Sequence, residues 1–341
     1  MRPASILMIA ASVAMPATAQ AQDLKVVTTL TTYASIAREI LGEAGTAHAI
    51  ARGDEDPHYV QPKPSYVSLI RDADLFVTTG MDLELWVPTL LDRAGNRAVL
   101  PGAPGYVAAS AGVDVVEIPV SADRSQGDIH IYGNPHILSD PWNAIIVARN
   151  ILAGLSRVAP AFTTTFEEAE RHFERRVVEA LIGEELVAAL TVEATLRLLS
   201  TNSLYGFLAE TTLHNEPLTN LMTGWFADAG VFRDREMVCY HREWSYFSRR
   251  FAIPCVGYVE PKLGIPPTPR HVRDLIDLMR AQGVPAIFAA NYYPSNQIDQ
   301  VAERTGAIAV IVPENTEGEP GVRTYFDLVD LWIASLGAAY R

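Results

Sequence analysis

This chain has no long hydrophobic run and comparatively little positive charge. After the N-terminal segment, no window approaches the ~20 apolar residues that a helix needs to cross a bilayer, so we expect a soluble mature protein. Lys and Arg number 27 against 40 Asp and Glu, which gives a formal charge of −13. An acidic surface disfavours nucleic acid and anionic membranes. These absences argue against a membrane-embedded or nucleic-acid-binding protein.

Cysteine is also scarce, with only Cys239 and Cys255 in 341 residues. Residues 1–21 predict a signal peptide, because Arg2 precedes an apolar stretch and small residues lead to a cleavage site after Ala21. This segment contains no cysteine to carry a lipid, so we expect a free periplasmic protein. An even cysteine pair in an exported protein permits a disulfide between neighbouring parallel strands. The alternative is two small buried hydrophobic residues.

Short β-rich runs alternate with helical patterns, which is typical of parallel α/β sheets. Segments 25–30, 47–51 and 75–79 are predicted strands, and 33–41 and 65–71 are predicted helices. With 49% hydrophobic and 20% charged residues the chain can form an ordinary core, and its length suggests two domains.

Three histidines, His58, His136 and His241, lie in turn-rich segments that are far apart in the sequence. Neutral imidazole favours Zn²⁺ and similar metals over the hard cations Mg²⁺ and Ca²⁺. Ligands from distant segments can meet only where the fold gathers loops, as in a cleft between lobes. Because a dispersed triad has no diagnostic spacing, three unrelated loop histidines are the alternative.

The segments around these histidines carry a wider pattern. They read HYVQPKPS at 58–65, DIHIYGNPH at 128–136, YHREWSYF at 240–247 and EPKLGIPPTP at 260–269. In this order, from about residue 24 to about residue 338, the chain resembles the metal-binding solute-binding proteins of zinc and manganese ABC importers. The resemblance implies two Rossmann-like α/β lobes, each a mostly parallel sheet flanked by helices, with the metal in the cleft between them.

The resemblance further implies that one long rigid helix joins the lobes. Residues 163–190 show helical periodicity, with no Gly or Pro before Gly183. We therefore predict an N-terminal lobe at 22–160, a linking helix at 161–190 and a C-terminal lobe at 191–341.

Position by position, the resemblance places His58, His136 and His241 on the three histidine positions of the family. Zinc members have His at the third position where manganese members commonly have Glu, so His241 favours Zn²⁺. A manganese- or iron-specific protein of the same family is the alternative. The family usually supplies a fourth ligand, an Asp, from a loop near the C-terminus. Glu314 is the nearest acidic residue there and our predicted fourth ligand, with water or Glu260 as alternatives.

His130 lies six residues before His136, where some zinc-binding relatives carry a His-rich insertion. It could be an entry ligand or an auxiliary metal site, together with Asp128. We prefer a loop histidine bonded to the backbone. The remaining histidines are predicted to be structural or solvent-exposed: His48, His172, His214 and His271.

The predicted function is capture of periplasmic Zn²⁺ and its delivery to an ABC importer permease driven by a cytoplasmic ATPase. We expect a monomer that touches the membrane only through the permease, and a periplasmic zinc chaperone remains open as a further partner. A zinc-dependent hydrolase that uses the three histidines is the alternative from another class. Against it, the sequence has no His-Glu-x-x-His helix, Gly-x-Ser-x-Gly turn or Gly-rich phosphate loop. Adhesin-like binding on such a scaffold rests on analogy alone.

Overall fold

The computed structural model describes residues 23–120, 130–213 and 215–341. The predicted signal peptide at 1–21, Asp128 and His214 lie outside these described residues.

The first sheet contains four parallel strands in the order β2-β1-β3-β4. They are β1 (Leu24–Thr28), β2 (Gly45–Ala49), β3 (Leu75–Thr78) and β4 (Tyr106–Ala108). Every residue of β3 is buried, as expected for a central strand covered on both faces. The three predicted strands of the N-terminal half are therefore confirmed, with ends that differ by a few residues.

The second sheet also contains four parallel strands, in the order β10-β9-β7-β8. They are β7 (Met237–Cys239), β8 (Cys255–Tyr258), β9 (Ala286–Ala290) and β10 (Ile308–Val312), and a short antiparallel pair, β5 (Thr212–Leu213) and β6 (Glu216–Pro217), precedes them. Cys239 and Cys255 form a disulfide between β7 and β8, which confirms the first of the two interpretations of this pair.

Thirteen α-helices connect and cover the strands of the described residues. They are α1 (Thr31–Leu41), α2 (Pro64–Arg71), α3 (Val87–Ala94), α4 (Pro141–Val158), α5 (Thr163–Ile182), α6 (Glu184–Leu190), α7 (Val192–Ser200), α8 (Leu204–Glu210), α9 (Trp225–Asp228), α10 (Ser245–Phe251), α11 (Pro269–Gln282), α12 (Ser295–Thr305) and α13 (Tyr325–Ala338). Two parallel sheets flanked by helices confirm the predicted fold class. None of the described helices is both long enough and apolar enough to traverse a bilayer.

The predicted linking helix is shorter than expected. Helix α5 ends at Ile182 because Gly183 adopts φ = 92°, outside the helical region, and α6 then starts at Glu184. The prediction of one continuous helix over residues 161–190 was therefore wrong in the extent of the helix. Helix α5 packs against α1 and α4 and also against α9. The lobe boundaries at residues 160 and 190 stay a prediction.

Candidate metal centre

The loops that follow the parallel strands carry the candidate ligands. His58 lies in a short 3₁₀ turn after β2, and the Asp56 side chain accepts a hydrogen bond from the His58 backbone N–H at the start of that turn. His241 comes two residues after β7, and Glu314 comes two residues after β10. Loops at the carboxyl ends of parallel strands meet at one edge of each sheet, where open α/β folds bind ligands.

His136 reaches the site from a different direction, on the segment that leads into α4. The Asp140 side chain accepts a hydrogen bond from the Trp142 backbone N–H, and Pro141 occupies the first helical turn, so the helix start is well defined. The buried guanidinium of Arg250 donates to both oxygens of Asp140, at 2.7 and 3.0 Å. The chain just after His136 is therefore held firmly.

Four imidazoles near the site share one hydrogen-bonding pattern, because the Nδ1 atom of each has an oxygen partner. The pairs are His58 with Asp56 Oδ1 at 2.7 Å, His130 with Asp82 Oδ1 at 3.0 Å, His136 with Glu314 Oε1 at 2.6 Å and His241 with the Glu260 carbonyl at 2.7 Å. Such partners select the ring tautomer and fix the ring orientation. Since Nδ1 is engaged in each ring, Nε2 is the nitrogen that remains to bind a metal.

Three of these rings form a tight cluster. His58, His130 and His136 each offer a ligand atom, and these atoms lie within 4.8 Å of one another. The Nε2 atoms of His58 and His130 are 3.1 Å apart, while the buried Nε2 of His136 has no hydrogen-bond partner among the described residues. Two nitrogen ligands at ~2.0–2.1 Å from a tetrahedral Zn²⁺ lie roughly 3.3 Å apart. The His58 and His130 nitrogens therefore lie at about the separation of two ligands of one cation, and the ligand atom of His136 lies within 4.8 Å of both.

His241 lies on the wall of the same cavity as His130 and His136, and the volume of this cavity is about 460 Å³. Burial and the positive charges of His136 and His58 lower the pKa of His241 to about 4, although its hydrogen bond to the Glu260 carbonyl acts in the opposite direction. The ring is thus neutral over the ordinary pH range, which is the form that binds metals. It stands outside the set of atoms within 4.8 Å of one another.

Both carboxylate oxygens of Glu314 have partners in the structure. Oε1 contacts His136, and Oε2 accepts the Tyr292 hydroxyl at 2.6 Å. Burial is the largest influence on the pKa of Glu314 and raises it, but the positive charge of His136 and the hydrogen bonds from His136 and Tyr292 together lower the pKa below its ordinary value. The same pair raises the pKa of His136, against the effect of its own burial. Glu314 is therefore an ionised partner of His136, and direct binding of Glu314 to a metal stays a prediction.

The family model for the periplasmic zinc-uptake complex component A, ZnuA, matches residues 26–220 and 215–339. The chain belongs to the ZnuA family. Members are the solute-binding receptors of ABC transporters and are not enzymes. This protein is accordingly a periplasmic, metal-binding component of an ABC transporter, and the hydrolase alternative is wrong.

Two ZnuA-family relatives are named for different metals. The iron-binding protein YfeA of Yersinia pestis is 24% identical over 94% of this chain and 87% of its own length. The manganese-transporter lipoprotein PsaA of Streptococcus mitis is 23% identical over 88% of this chain and 82% of its own length.

Solved structures match the fold along nearly the whole chain. A crystal structure of ZnuA has a TM-score of 0.66 at 15% identity and covers 94% of this chain and 100% of its own. A manganese-bound periplasmic metal-binding protein from Candidatus Liberibacter asiaticus has a TM-score of 0.63 at 17% identity, over 93% and 99%. Because the sequence identity is so low, these two structures support the two-sheet fold of this ZnuA-family protein and nothing beyond the fold.

The contacts of His130 differ from those predicted for this residue of the ZnuA-family protein. We preferred a loop histidine bonded to the backbone, and the backbone bond was wrong, because the ring contacts the Asp82 side chain and His58. A role of His130 as a metal ligand stays a prediction. Asp82 also accepts the backbone N–H of Ile131 through Oδ2 at 2.8 Å, so one carboxylate holds both the loop and its ring. Asp82 and His130 are 48 residues apart, and no local pattern connects them.

Glu243 was missed altogether. Its side chain is fully buried beyond His241, and neither carboxylate oxygen has a hydrogen-bond partner among the described residues. Burial raises the pKa of Glu243 to about 8. A glutamate in a polar turn ordinarily points into solvent, so only the tertiary structure reveals this one.

The other predicted residues have roles in the surroundings. The Glu260 carboxylate accepts the Gly264 backbone N–H at 2.8 Å and the Tyr240 hydroxyl at 3.3 Å, while its carbonyl accepts the hydrogen bond from His241. His271 Nε2 contacts the Tyr258 carbonyl at 2.8 Å, in agreement with a structural role. His48 and His172 are exposed, which also agrees with the sequence analysis.

Proposed function

We propose that this ZnuA-family protein is a high-affinity receptor for Zn²⁺, held through the Nε2 atoms of His58, His130, His136 and His241. The observation that carries the proposal is the cluster of three imidazoles whose ligand atoms lie within 4.8 Å of one another, each with its Nδ1 atom paired to a carboxylate. His241 lies on the wall of the cavity with His130 and His136, and in this proposal it supplies the fourth nitrogen when the metal binds. A tetrahedral arrangement of neutral nitrogens suits Zn²⁺ well.

The chemistry of this ligand set supports zinc over manganese. Imidazole binds Zn²⁺ well, whereas Mn²⁺ prefers carboxylate, carbonyl and water oxygens. In the proposed site the carboxylates of Asp56, Asp82 and Glu314 contact the rings, and the rings bind the metal. The names of YfeA and PsaA point to iron and manganese for those relatives. Here the preference rests on the residues of this chain.

Glu314 then acts as the residue that orients His136. If Glu314 turned to bind the metal directly, as the sequence analysis predicts, His136 Nδ1 would lose its 2.6 Å partner and Tyr292 would lose its acceptor. Buried polar groups that lose their partners are costly. This cost favours an orienting role for Glu314 in a site that already has four imidazoles.

The proposed receptor works as a monomer in the periplasm and delivers Zn²⁺ to an ABC permease and its ATPase. Membrane contact is made only through the permease, and a zinc chaperone that loads the site is a further proposed partner. We propose a protein without a lipid anchor, because the segment at 1–21 contains no cysteine. PsaA and several other relatives are lipoproteins by name.

Calorimetric titration of the chelator-stripped mature protein with Zn²⁺ and Mn²⁺ in competition tests the assignment. We expect one tight Zn²⁺ site that excess Mn²⁺ cannot displace. A preference for Mn²⁺, or the absence of a tight site, would overturn the zinc proposal. A His172→Ala variant is the matched control, because this histidine is exposed on α5 and should leave the titration unchanged.

A further inference from the structure

The wall of the cavity that contains the candidate ligands also carries an ion pair that the proposed zinc site does not use. Glu117 and Arg242 line this cavity together with His136 and His241. Arg242 Nη1 donates to Glu117 Oε1 at 2.8 Å. Because neither side chain is among the proposed ligands, the pair needs a different explanation.

The ion pair lies at the solvent end of the cavity. The Arg242 side chain is 45% exposed and the Glu117 side chain 29%, whereas the His136 side chain is only 2% exposed. His241, on the same wall, is buried as well. The cavity therefore opens to solvent beside the ion pair and ends at the buried imidazoles.

The same pair connects loops that belong to the two sheets. Glu117 follows β4 of the first sheet, and Arg242 follows β7 of the second, 125 residues further along the chain. Asn134 reinforces the link, because its Nδ2 atom donates to Glu117 Oε2 and to the Arg242 carbonyl, both at 2.8 Å. Widening the cavity between these two loops therefore requires that the ion pair break.

The backbone of Glu117 is held in an uncommon conformation. Its φ is 56°, in the left-handed region that residues with a side chain seldom adopt. Such conformations cost free energy and persist where the surrounding contacts hold them. The bonds to Arg242 and Asn134 provide this restraint, so the segment can relax once they break.

We propose that the Glu117–Arg242 ion pair is the gate of the metal cavity and sets how fast the metal enters and leaves. Opening the pair admits a hydrated divalent cation to the histidines, and closing it shields the bound ion from water and competing ligands. A partly exposed ion pair contributes little free energy, so it shifts the opening equilibrium by about fivefold at most. The inference rests on the proposed function, because the metal at the histidines is the cargo that the gate controls.

Stopped-flow measurement of Zn²⁺ association, and of Zn²⁺ release to a chelator, tests the gate in Glu117→Gln, Arg242→Gln and the double variant. The two lost charges cancel in the double variant, so we expect both rates to rise about three- to fivefold while the dissociation constant stays within about twofold of wild type. If the two residues acted only through their charge, Glu117→Gln would weaken binding, Arg242→Gln would strengthen it, and the double variant would have wild-type rates.

Asp114→Asn is the matched control. Asp114 lies in the same segment as Glu117 and accepts a hydrogen bond from Arg249 Nη1 of α10 at 2.8 Å. Neither Asp114 nor Arg249 is among the described residues that line the cavity. The variant thus loses one negative charge and one ion pair outside the gate, and it should exchange Zn²⁺ at wild-type rates. An acceleration equal to that of the double variant would overturn the gate, because anchoring of the whole segment would then be responsible.

The outcomes separate this inference from the proposed function. Wild-type rates of association and release in the double variant would overturn the gate and leave the zinc receptor intact. A wild type that prefers Mn²⁺ would overturn the zinc assignment, and the rates of variant and wild type would then be compared with Mn²⁺. A wild type that binds neither metal would overturn both.

Discussion

Replacing His130 by alanine should weaken Zn²⁺ binding by about ten- to a hundredfold, or about 1.4–2.8 kcal/mol. The side chain of His130 is 14% exposed, against 2% for His136 and 3% for His58. Water can therefore enter the position that the ring vacates and replace part of the lost coordination. For this reason the loss should be smaller than for a ligand at the bottom of the site.

The assay is competition with a chelator of known affinity, followed by calorimetry, on metal-free wild type, His130→Ala and the control His172→Ala. The thermal midpoint of each metal-free protein is measured in parallel, because a ligand on a loop should contribute little to folding. An affinity of His130→Ala within twofold of wild type would refute the four-imidazole site. A large drop in the midpoint without metal would instead make His130 a structural residue.

Three further changes test the partner of His130, the role of His241 and the competition between protons and metal for the imidazoles. Asp82→Asn should weaken Zn²⁺ binding about tenfold in the same titration, because His130 loses the carboxylate that orients it; an unchanged affinity would contradict this positioning. His241→Ala should weaken binding at least tenfold, about 1.4 kcal/mol, without unfolding the protein, and loss of the circular dichroism signal would make this histidine structural. Acidification from pH 8 to pH 5 should weaken binding, because protons compete for the imidazoles and carboxylate partners raise the pKa of His136; constant affinity at pH 5 would contradict histidine ligation.

A fifth prediction concerns stability away from the metal. Burial and the neighbouring Glu174 raise the pKa of Glu170 from its ordinary value of 4.5 to about 8. The folded protein therefore binds more protons than the unfolded chain between these two values, so stability falls as pH rises through this window. Glu170→Gln removes the effect, and we expect a gain of about 1 kcal/mol at pH 8 that disappears near pH 4.5. Urea unfolding at both pH values measures it, and an equal effect at both would contradict the assignment.

Much of the fold could be predicted because its signals are local. Segments 25–30, 47–51 and 75–79 are apolar runs of strand length bounded by turn residues, and all three are strands in the structure. The end of α5 was less certain, because the residues beyond Gly183 continue the helical pattern. The backbone conformation of that glycine, at φ = 92°, ends the helix. Its ideal Cβ would lie 2.1 Å from Thr223 Oγ1, so packing as well as conformation requires glycine there.

The candidate ligands were only partly predictable. The segments around His58, His136 and His241 carry the resemblance to metal-binding receptors, so these residues could be named from the sequence. His130 lies on an otherwise ordinary loop, and its role depends on Asp82, which is distant in the chain. Glu243 looks like any turn glutamate, and its burial depends on the packing of several loops.

The sequence by itself determined the alternating strands and helices, the order of the histidine-bearing segments and the family. These properties depend on residue types and on spacing along the chain, which a single sequence displays in full. Only the tertiary structure decided that His130 joins the cluster, that both oxygens of Glu314 are engaged, and that the Glu243 side chain is fully buried. The physical reason is that hydrogen bonding and burial of a side chain are set by groups tens to hundreds of residues away, which the fold alone brings into contact.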